Sequence, residues 1–568
     1  MSNFGRWTIL LIILSFSLAA AKQRPDFQDP SFFRAKDATP ISDQAINYLA
    51  KNQVDGKVKI WVFFTDKNIF NQAQFKAAAQ AAQSGFTERA KARRAKHGIT
   101  EARFTDLPVN ASYVSQLESL GAKILSASKW LNAAAVEIDL DRVGSVTRTS
   151  FVSRVQPTAT FKRPVEEAAL EKGNPSGDLN SLESHSLLYG GSLGQLTQIN
   201  VPICHDSGYA GQGMIIAMLD TGFRKSHNSF AQAYLDGRVL AEHDFIYNDG
   251  NVSNEPIDQS DAWSHGTSTW STSGGANPGV HYGPAYLASF ILCKTEDVRS
   301  ETIQEEYNWE AAIEWSDSIG TDIVSSSLGY TDWYVTANYN GDFCVTTIAA
   351  DVAASVGILV VNSAGNAGSA PQTLGAPADA DSIITVGAVS STGTIVSFSS
   401  RGPTADGRIK PEVCAQGSGV SVASSAGDGV YGSSSGTSFS CPLTAGAAAI
   451  VWGANPTWTN MQVREALMTT ASNNASPNNN YGWGIINTWE ALNFSFDPPT
   501  FVPGDADATG IITISDAVFL INYIFSGGPT PIPTASGDAD CNSIITITDA
   551  VYLINYIFGG GNPPALCP

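Results

Sequence analysis

The spacing of apolar and polar positions divides the chain into blocks of different character. Trp7 to Leu18 is an apolar run behind Arg6, followed by Ala19-Ala20-Ala21 and a polar stretch from Lys22. That order predicts a signal peptide over residues 1–21, because the run is short for a membrane span. Residues 30–165 then carry short periodic segments. Lys57 to Phe64 reads as a strand, Gln72 to His97 as a helix, and Val114 to Leu120 as the start of a second helix. Ala122 to Ser126 and Leu131 to Ile138 read as strands, Asp141 to Thr147 as a short helix and Phe151 to Gln156 as a closing strand.

The β-α-β-β-α-β order of that block predicts a small ferredoxin-like α+β unit. Residues 166–188 are polar, with Gly, Pro, Asn and Ser, and read as an exposed linker open to cleavage. Over 189–494, apolar β-rich runs alternate with helical segments. The runs are Gly213–Leu219, Ala288–Lys294, Ile323–Ser327, Ile358–Asn362 and Ile383–Val386. The alternation predicts an α/β fold, a mainly parallel sheet covered by helices. Residues 495–503 form a proline-bearing linker. From Gly504 the chain repeats itself: GDADATGIITISDAVFLINYIF returns at Gly537 as GDADCNSIITITDAVYLINYIF, which marks a duplicated unit.

Composition narrows the function classes. The 568 residues are 43% hydrophobic and carry a net charge of −20, so a large core can form and a nucleic-acid binder is disfavoured. After the first block no apolar run is long enough to cross a bilayer, which predicts a secreted, extracellular protein with no membrane contact after signal cleavage. Seven cysteines are too few and scattered for a disulfide scaffold, and no Cys-x-x-Cys pair suggests zinc. Cys541 and Cys567 share the last block and either pair or remain separate thiols.

Three motifs carry candidate chemistry. GMIIAMLDTG places Asp220 at the end of a buried strand, at the sheet edge where sites of open α/β folds lie. SHGT places His265 at a helix start. GTSFSCP places Ser438 at the start of a buried, Ala-rich helix whose backbone N–H groups can stabilise a developing negative charge, with Pro442 tolerated in the first turn. On its own such a serine reads sooner as a helix N-cap. NSAGN adds Asn366, whose amide can donate to an oxyanion or sit in a loop.

Taken together, Asp, His and Ser in this chain order resemble the subtilisin-like serine peptidases over residues 189–494. The matching segments are LDTG at Leu219, HGT at His265, SSSLG at Ser325, SAGN at Ser363, FSSRGPTADGRIKPEV at Phe398 and GTSFSCP at Gly436. The resemblance implies a serine endopeptidase with Ser438 as nucleophile, His265 as general base and Asp220 as the residue orienting it. It implies that Asn366 and the Ser438 N–H hold the oxyanion, with no catalytic metal. It implies that Ser327, Leu328 and Gly329 pair with the substrate backbone, and that Ala364 and Gly365 wall the specificity pocket. Block 30–165 then resembles an inhibitory propeptide, cut away within residues 160–188. A catalytically silent binding protein on the same fold is the alternative, which an altered triad would favour.

The duplicated unit, residues 504–568, has the spacing of calcium loops. Asp505, Asp507, Thr509, the Ile511 carbonyl, Thr513 and Asp516 stand at positions 1, 3, 5, 7, 9 and 12, with Gly510 at the turn. Asp538, Asp540, Asn542, the Ile544 carbonyl, Thr546 and Asp549 repeat the set, with Ser543 replacing the glycine. Each loop leads into an apolar helix. The pattern resembles dockerin type I repeats, which implies an all-α module, bound Ca2+ and a cohesin module as partner. A calcium-stiffened tail without that partner is the alternative.

Overall fold

The computed structural model describes residues 36–159, 185–298, 306–496, 501–526, 528–542 and 544–565. The expected signal peptide, most of the expected processing region and Cys567 lie outside them. The chain divides into two units, Met1–Asn493 and Phe494–Pro568.

The N-terminal part of the first unit runs α1 (Asp43–Lys51), β1 (Lys57–Phe64), α2 (Gln72–Gln83), α3 (Glu88–Ala95), α4 (Ala111–Ser119), β2 (Lys123–Ser128), β3 (Ala133–Asp139), α5 (Val143–Arg148) and β4 (Val152–Pro157). Its four strands stand in the order β2-β3-β1-β4, all antiparallel. The expected ferredoxin-like unit is therefore present, with two differences. A helix, α1, precedes β1, capped by Ser42 Oγ accepting from Ala45 N–H at 3.1 Å. The segment expected as one helix over Gln72–His97 is two. Ser84-Gly85 ends the first, and Thr87 caps the second through Oγ1 and Ala90 N–H, 3.2 Å. The unbroken apolar run of β1 is explained by burial on both faces. Ile60, Val62 and Phe64 fill the unit's own core, whereas Trp61 and Phe63 pack with Tyr307 and Val345 of the larger part.

That larger part continues with α6 (Leu193–Gln198), α7 (Val201–Asp206), β5 (Ile215–Asp220), α8 (Ala231–Leu235), β6 (Val239–Asp244), α9 (Ser264–Gly274), a hairpin β7 (Ala276–Asn277) and β8 (His281–Tyr282), and β9 (Ser289–Lys294). Then come α10 (Glu306–Ile319), β10 (Ile323–Ser326), α11 (Val345–Ser355), β11 (Leu359–Ser363), β12 (Ile384–Val389) and β13 (Val413–Gln416). A second hairpin, β14 (Val420–Ala423) and β15 (Tyr431–Ser434), leads into α12 (Thr437–Ala454), α13 (Asn460–Thr469) and α14 (Thr488–Leu492). Seven strands form one sheet in the order β13-β12-β11-β10-β5-β9-β6, with every pairing parallel. From β5 the chain goes to the edge at β6, returns to place β9 between the two, then crosses to β10 and continues the other way. Such a reversal opens a crevice at the carboxyl ends of the strands flanking it, and Asp220 ends β5 there.

The N-terminal part sits on α10. Trp61 Nε1–H and Ala159 N–H both donate to Glu306 Oε1 at 2.9 Å, and Tyr334 O–H donates to Glu306 Oε2 at 2.9 Å. Burial pushes the Glu306 carboxyl up to about 8 despite these donors. Trp130 N–H donates to Glu314 Oε1 at 2.8 Å, and the Ser128 hydroxyl lies 2.6 Å from Glu310 Oε1.

The second unit holds α15 (Ile514–Ser526) and α16 (Ile547–Gly559). Its core is repeat-related: Ala506, Ala517 and Leu520 meet Ala539, Ala550 and Leu553. Cys541 is disulfide-bonded, while Cys204, Cys293, Cys344, Cys414 and Cys441 are free and buried.

Helices α9 and α12 cross closely because Gly446 has no side chain. A Cβ there would lie 2.8 Å from the Ser273 carbonyl oxygen and 3.0 Å from Pro284 Cβ. Gly446→Ala is expected to destabilise the first unit by about 1–3 kcal/mol, the range for an overpacked core. A guanidinium unfolding midpoint equal to that of the parent protein would show that the two helices part without cost.

Candidate active site

Asp220 is the last residue of β5 and His265 the second of α9. His265 Nδ1 lies 2.7 Å from Asp220 Oδ1. With Nδ1–H donating to the carboxylate, Nε2 is left as the basic nitrogen. Thr269, one turn along α9 from His265, donates through Oγ1 to Asp220 Oδ2 at 2.8 Å, and Thr221 N–H donates to Oδ1 at 2.7 Å. Burial works against the Asp220 carboxylate, but His265 and these donors outweigh it and hold the group below its ordinary value. The glycine of the His-Gly-Thr motif has a steric reason: a Cβ at Gly266 would fall 2.2 Å from the Gly222 carbonyl oxygen. Only glycine lets the start of α9 approach the turn after Asp220.

Ser438 lies inside the first turn of α12. The N-cap position is Gly436, so Ser438 is not the capping residue that its isolated motif suggests. Pro442 sits beyond the first turn where it was expected, at the position whose N–H would bond the Ser438 carbonyl. Proline has no N–H, and Ser327 Oγ–H fills the gap, donating to Ser438 O at 2.8 Å. The His265 ring lies beside this turn, its centroid 6.0 Å from that of Phe439. Asp220, His265 and Ser438 are 1%, 6% and 4% exposed, so the three share one water-poor corner.

Asn366 follows β11. Its Oδ1 accepts from Thr437 N–H at 2.9 Å and Thr437 Oγ1–H at 3.0 Å, which leaves the Nδ2–H2 end as the donor side of the amide. Thr437 Oγ1 also accepts from Gly365 N–H at 3.2 Å. One hydroxyl thus ties the Asn366 loop to the residue before Ser438. Ala364 packs with Leu374 and Ala378, and Gly365, at φ +100°, would place a Cβ 3.1 Å from Ser400 Oγ. The Leu328 carbonyl accepts from Asn362 Nδ2–H at 3.2 Å, and after Gly329 the Tyr330 N–H donates to the Ala376 carbonyl at 2.8 Å. The candidate residues therefore gather at the carboxyl ends of β5, β10 and β11. Sequence reasoning missed Thr269 and Thr437. Four-residue spacing from His265 was the only signal for the first, and adjacency to Ser438 for the second.

In the second unit one carboxylate oxygen each of Asp505, Asp507 and Asp516 lie within 4.8 Å of one another, as do those of Asp538, Asp540 and Asp549. Residues 504–568 contain six aspartates and no lysine, arginine or histidine. No side chain of the unit can neutralise either cluster, which is the donor set of a hard cation. Thr509 N–H and Gly510 N–H wrap Asp505 at 2.9 and 2.7 Å, and Asn542 N–H approaches Asp538 at 3.0 Å. Thr513 and Thr546 donate their N–H groups to Asp516 and Asp549 at 2.7 and 2.8 Å. Ile511 and Ile544 lie at the exposed rims of the two loops.

A family model described as the subtilase family matches residues 211–484, one described as the peptidase S8 propeptide domain of Bacteroidota matches 59–173, and the dockerin type I domain matches 503–558. The chain is 30% identical over 439 residues to Subtilisin E of Bacillus subtilis (strain 168), covering 76% of this chain and 98% of that protein. It is 34% identical over 299 residues to Subtilisin of Bacillus pumilus, covering 52% of this chain and 97% of that protein. Serine protease AprX of Bacillus subtilis (strain 168) is 31% identical over 305 residues, covering 49% and 65%. The chain belongs to the subtilase family. It is a serine-type endopeptidase with a propeptide domain and a dockerin type I domain.

Thr269→Val removes one donor from a buried carboxylate and leaves the shape of the side chain nearly intact. The expected loss in kcat/KM is about tenfold, the worth of one such bond at roughly 1–1.5 kcal/mol. A variant with parental kcat/KM would show that Thr221 and His265 hold Asp220 unaided.

Proposed function

We propose that the protein is a secreted endopeptidase that cuts peptide bonds through an acyl-enzyme, with Asp220, His265 and Ser438 as its triad. The observation that carries this reading is the 2.7 Å contact of His265 Nδ1 with Asp220 Oδ1, beside the helix turn that bears Ser438. Ser438 Oγ attacks the scissile carbonyl while His265 Nε2 takes its proton, and His265 then returns a proton to the leaving amine. Asp220 fixes the imidazole tautomer and stabilises the imidazolium. Asn366 Nδ2–H2 and the Ser438 N–H hold the oxyanion, with Thr437 fixing the amide. Ser327, Leu328 and Gly329 line the edge along which an extended substrate adds as a strand, and Ala364 and Gly365 wall the pocket for its side chain.

The chain is made as a self-processing precursor whose propeptide inhibits the enzyme until it is cut off between residues 160 and 188. Export follows from the apolar leader. Among the described residues no helix is long and apolar enough to cross a membrane. Ser438→Ala is expected to abolish casein hydrolysis and labelling by a fluorophosphonate, and to leave the purified chain uncut. Asn366→Leu is expected to lower kcat on the order of a hundredfold or more with little change in KM. Hydrolysis persisting in the Ser438→Ala protein would remove Ser438 from the reaction.

The tail binds two calcium ions, one in each aspartate loop, and presents its helices to a cohesin module. Bound calcium would supply the positive charge that residues 504–568 lack. Ile514, Val518, Ile521 and Phe525 are exposed along α15, and Ile547, Val551, Ile554 and Phe558 repeat them along α16, an apolar surface for a partner. Metal analysis of desalted full-length protein is expected to fall by one calcium in Asp516→Ala and by one in Asp549→Ala. Unchanged calcium content in both variants would place the ions elsewhere.

A further inference from the structure

The N-terminal part grips the peptidase at a second place, far from Ser438. Helix α3 lies across the amino ends of the parallel strands. Arg89 donates to the Gly213 carbonyl ahead of β5 at 2.7 Å, to the Gly320 carbonyl at 3.2 Å and to Asp322 ahead of β10. Arg93 donates to the Thr321 carbonyl, to the Val356 carbonyl ahead of β11 at 3.3 Å, and to Asp317 of α10. Arg94 joins Asp317 from the same helix and is itself held by Asp106 through two bonds of 2.8 Å. Arg93, Arg94, Asp106 and Asp317 are all buried. Both cations that pair with Asp317 come from α3.

The peptidase surface is shaped to receive this helix. A Cβ at Gly320 would stand 2.9 Å from Ala90 N, and one at Gly357 would stand 2.4 Å from the His97 ring. Thr87 N–H donates to the Ser318 carbonyl at 3.0 Å and its Oγ1–H to the Ile319 carbonyl at 2.6 Å, so the cap of α3 is also the end of α10. Lys96 Nζ extends the contact to the Pro456 carbonyl at 2.6 Å. β5 separates this edge from Asp220 by its own length, about 17–20 Å at ~3.3 Å per residue.

We propose that the amino-terminal edge of the peptidase sheet is a docking surface for a basic helix, and that α3 occupies it to hold the propeptide independently of the active-site cleft. The surface combines two carboxylates with carbonyls left unpaired where helices end and strands begin, and a row of guanidinium groups matches that chemistry. The proposal rests on the reading of residues 30–165 as an inhibitor cut from the enzyme, and it adds where that inhibitor is held after the cut. Loss of one guanidinium leaves Asp317 or the strand carbonyls short of donors in a buried site, a change that weakens association on the order of a hundredfold.

Wild-type, Arg93→Gln and Arg89→Gln full-length proteins are allowed to mature, and the severed propeptide co-eluting with the enzyme is measured over time. Both variants are expected to lose the fragment at least tenfold sooner than wild type. Retention equal to wild type overturns the proposal. Arg89 is partly exposed, so its variant still reads out the contact if Arg93→Gln does not fold. Absence of any severed fragment in wild type counts against self-processing instead. In that case hydrogen exchange over residues 87–97 and 320–322 is compared in uncut Ser438→Ala protein with and without Arg93→Gln. Faster exchange with the substitution supports the docking surface, and equal protection overturns it.

Discussion

Two close approaches of α9 hold the peptidase site together. The start of α9 reaches the turn after Asp220 because Gly266 bears no side chain, and its far end meets α12 because Gly446 bears none. Those two contacts bring a residue from a strand end, one from a helix start and one from a second helix start into one corner. A methyl group at either position would press on a backbone carbonyl, which cannot move aside as a flexible side chain can. The hydrogen bonds of Thr269, Thr437 and Ser327 then fix angles that the packing has already set to within a small range.

Much of this arrangement could be read from the chain. The apolar runs at Gly213–Leu219 and Ala288–Lys294 are buried in a parallel sheet over Met214–Leu219 and Phe290–Lys294, so their hydrophobic patterns announced them. Asp220, His265, Ser438 and Asn366 each end or follow a strand or open a helix, where side chains gather at one sheet edge. β6 and β13 were not legible: β6 is a half-exposed edge strand ending in Glu-His-Asp, and β13 is only four residues long, too short to show a period. The Gln72–His97 segment looked continuous because Ala, Gln, Lys and Arg favour helix throughout. The break at Ser84-Gly85 and the cap at Thr87 are stabilised by contacts with Ser318 and Ile319, hundreds of positions away in sequence. The sequence pattern puts Pro442 in the first turn, but α12 begins at Thr437, and the Ser438 carbonyl that the proline leaves open is met by Ser327, which no local pattern connects with it.

The two attachments differ in what stabilises them. The propeptide unit completes its β1 strand only by burying Trp61 and Phe63 against the enzyme, so its sheet has one face of its own and one shared. Glu306 on α10 is costly to bury and takes two donors from the incoming chain, Trp61 and Ala159. The tail instead has a core of repeat-related Ala and Leu residues and two loops that each bring three aspartates together.

The seven-stranded sheet has a consequence for the life of the enzyme. All of its pairings are parallel, so each neighbour must be reached by a long crossover, and β5 pairs with β9 and β10 across many intervening residues. Loop closure of that kind makes the search for the native pairing slow. α3 touches the chain just ahead of β5, β10 and β11, so it gathers three strand entrances in their final order. If the propeptide is cut away as proposed, that guide goes with it, and an unfolded molecule then has no quick way back. On that reading the durability of the mature enzyme is a matter of how seldom it opens, not of the balance between folded and unfolded forms.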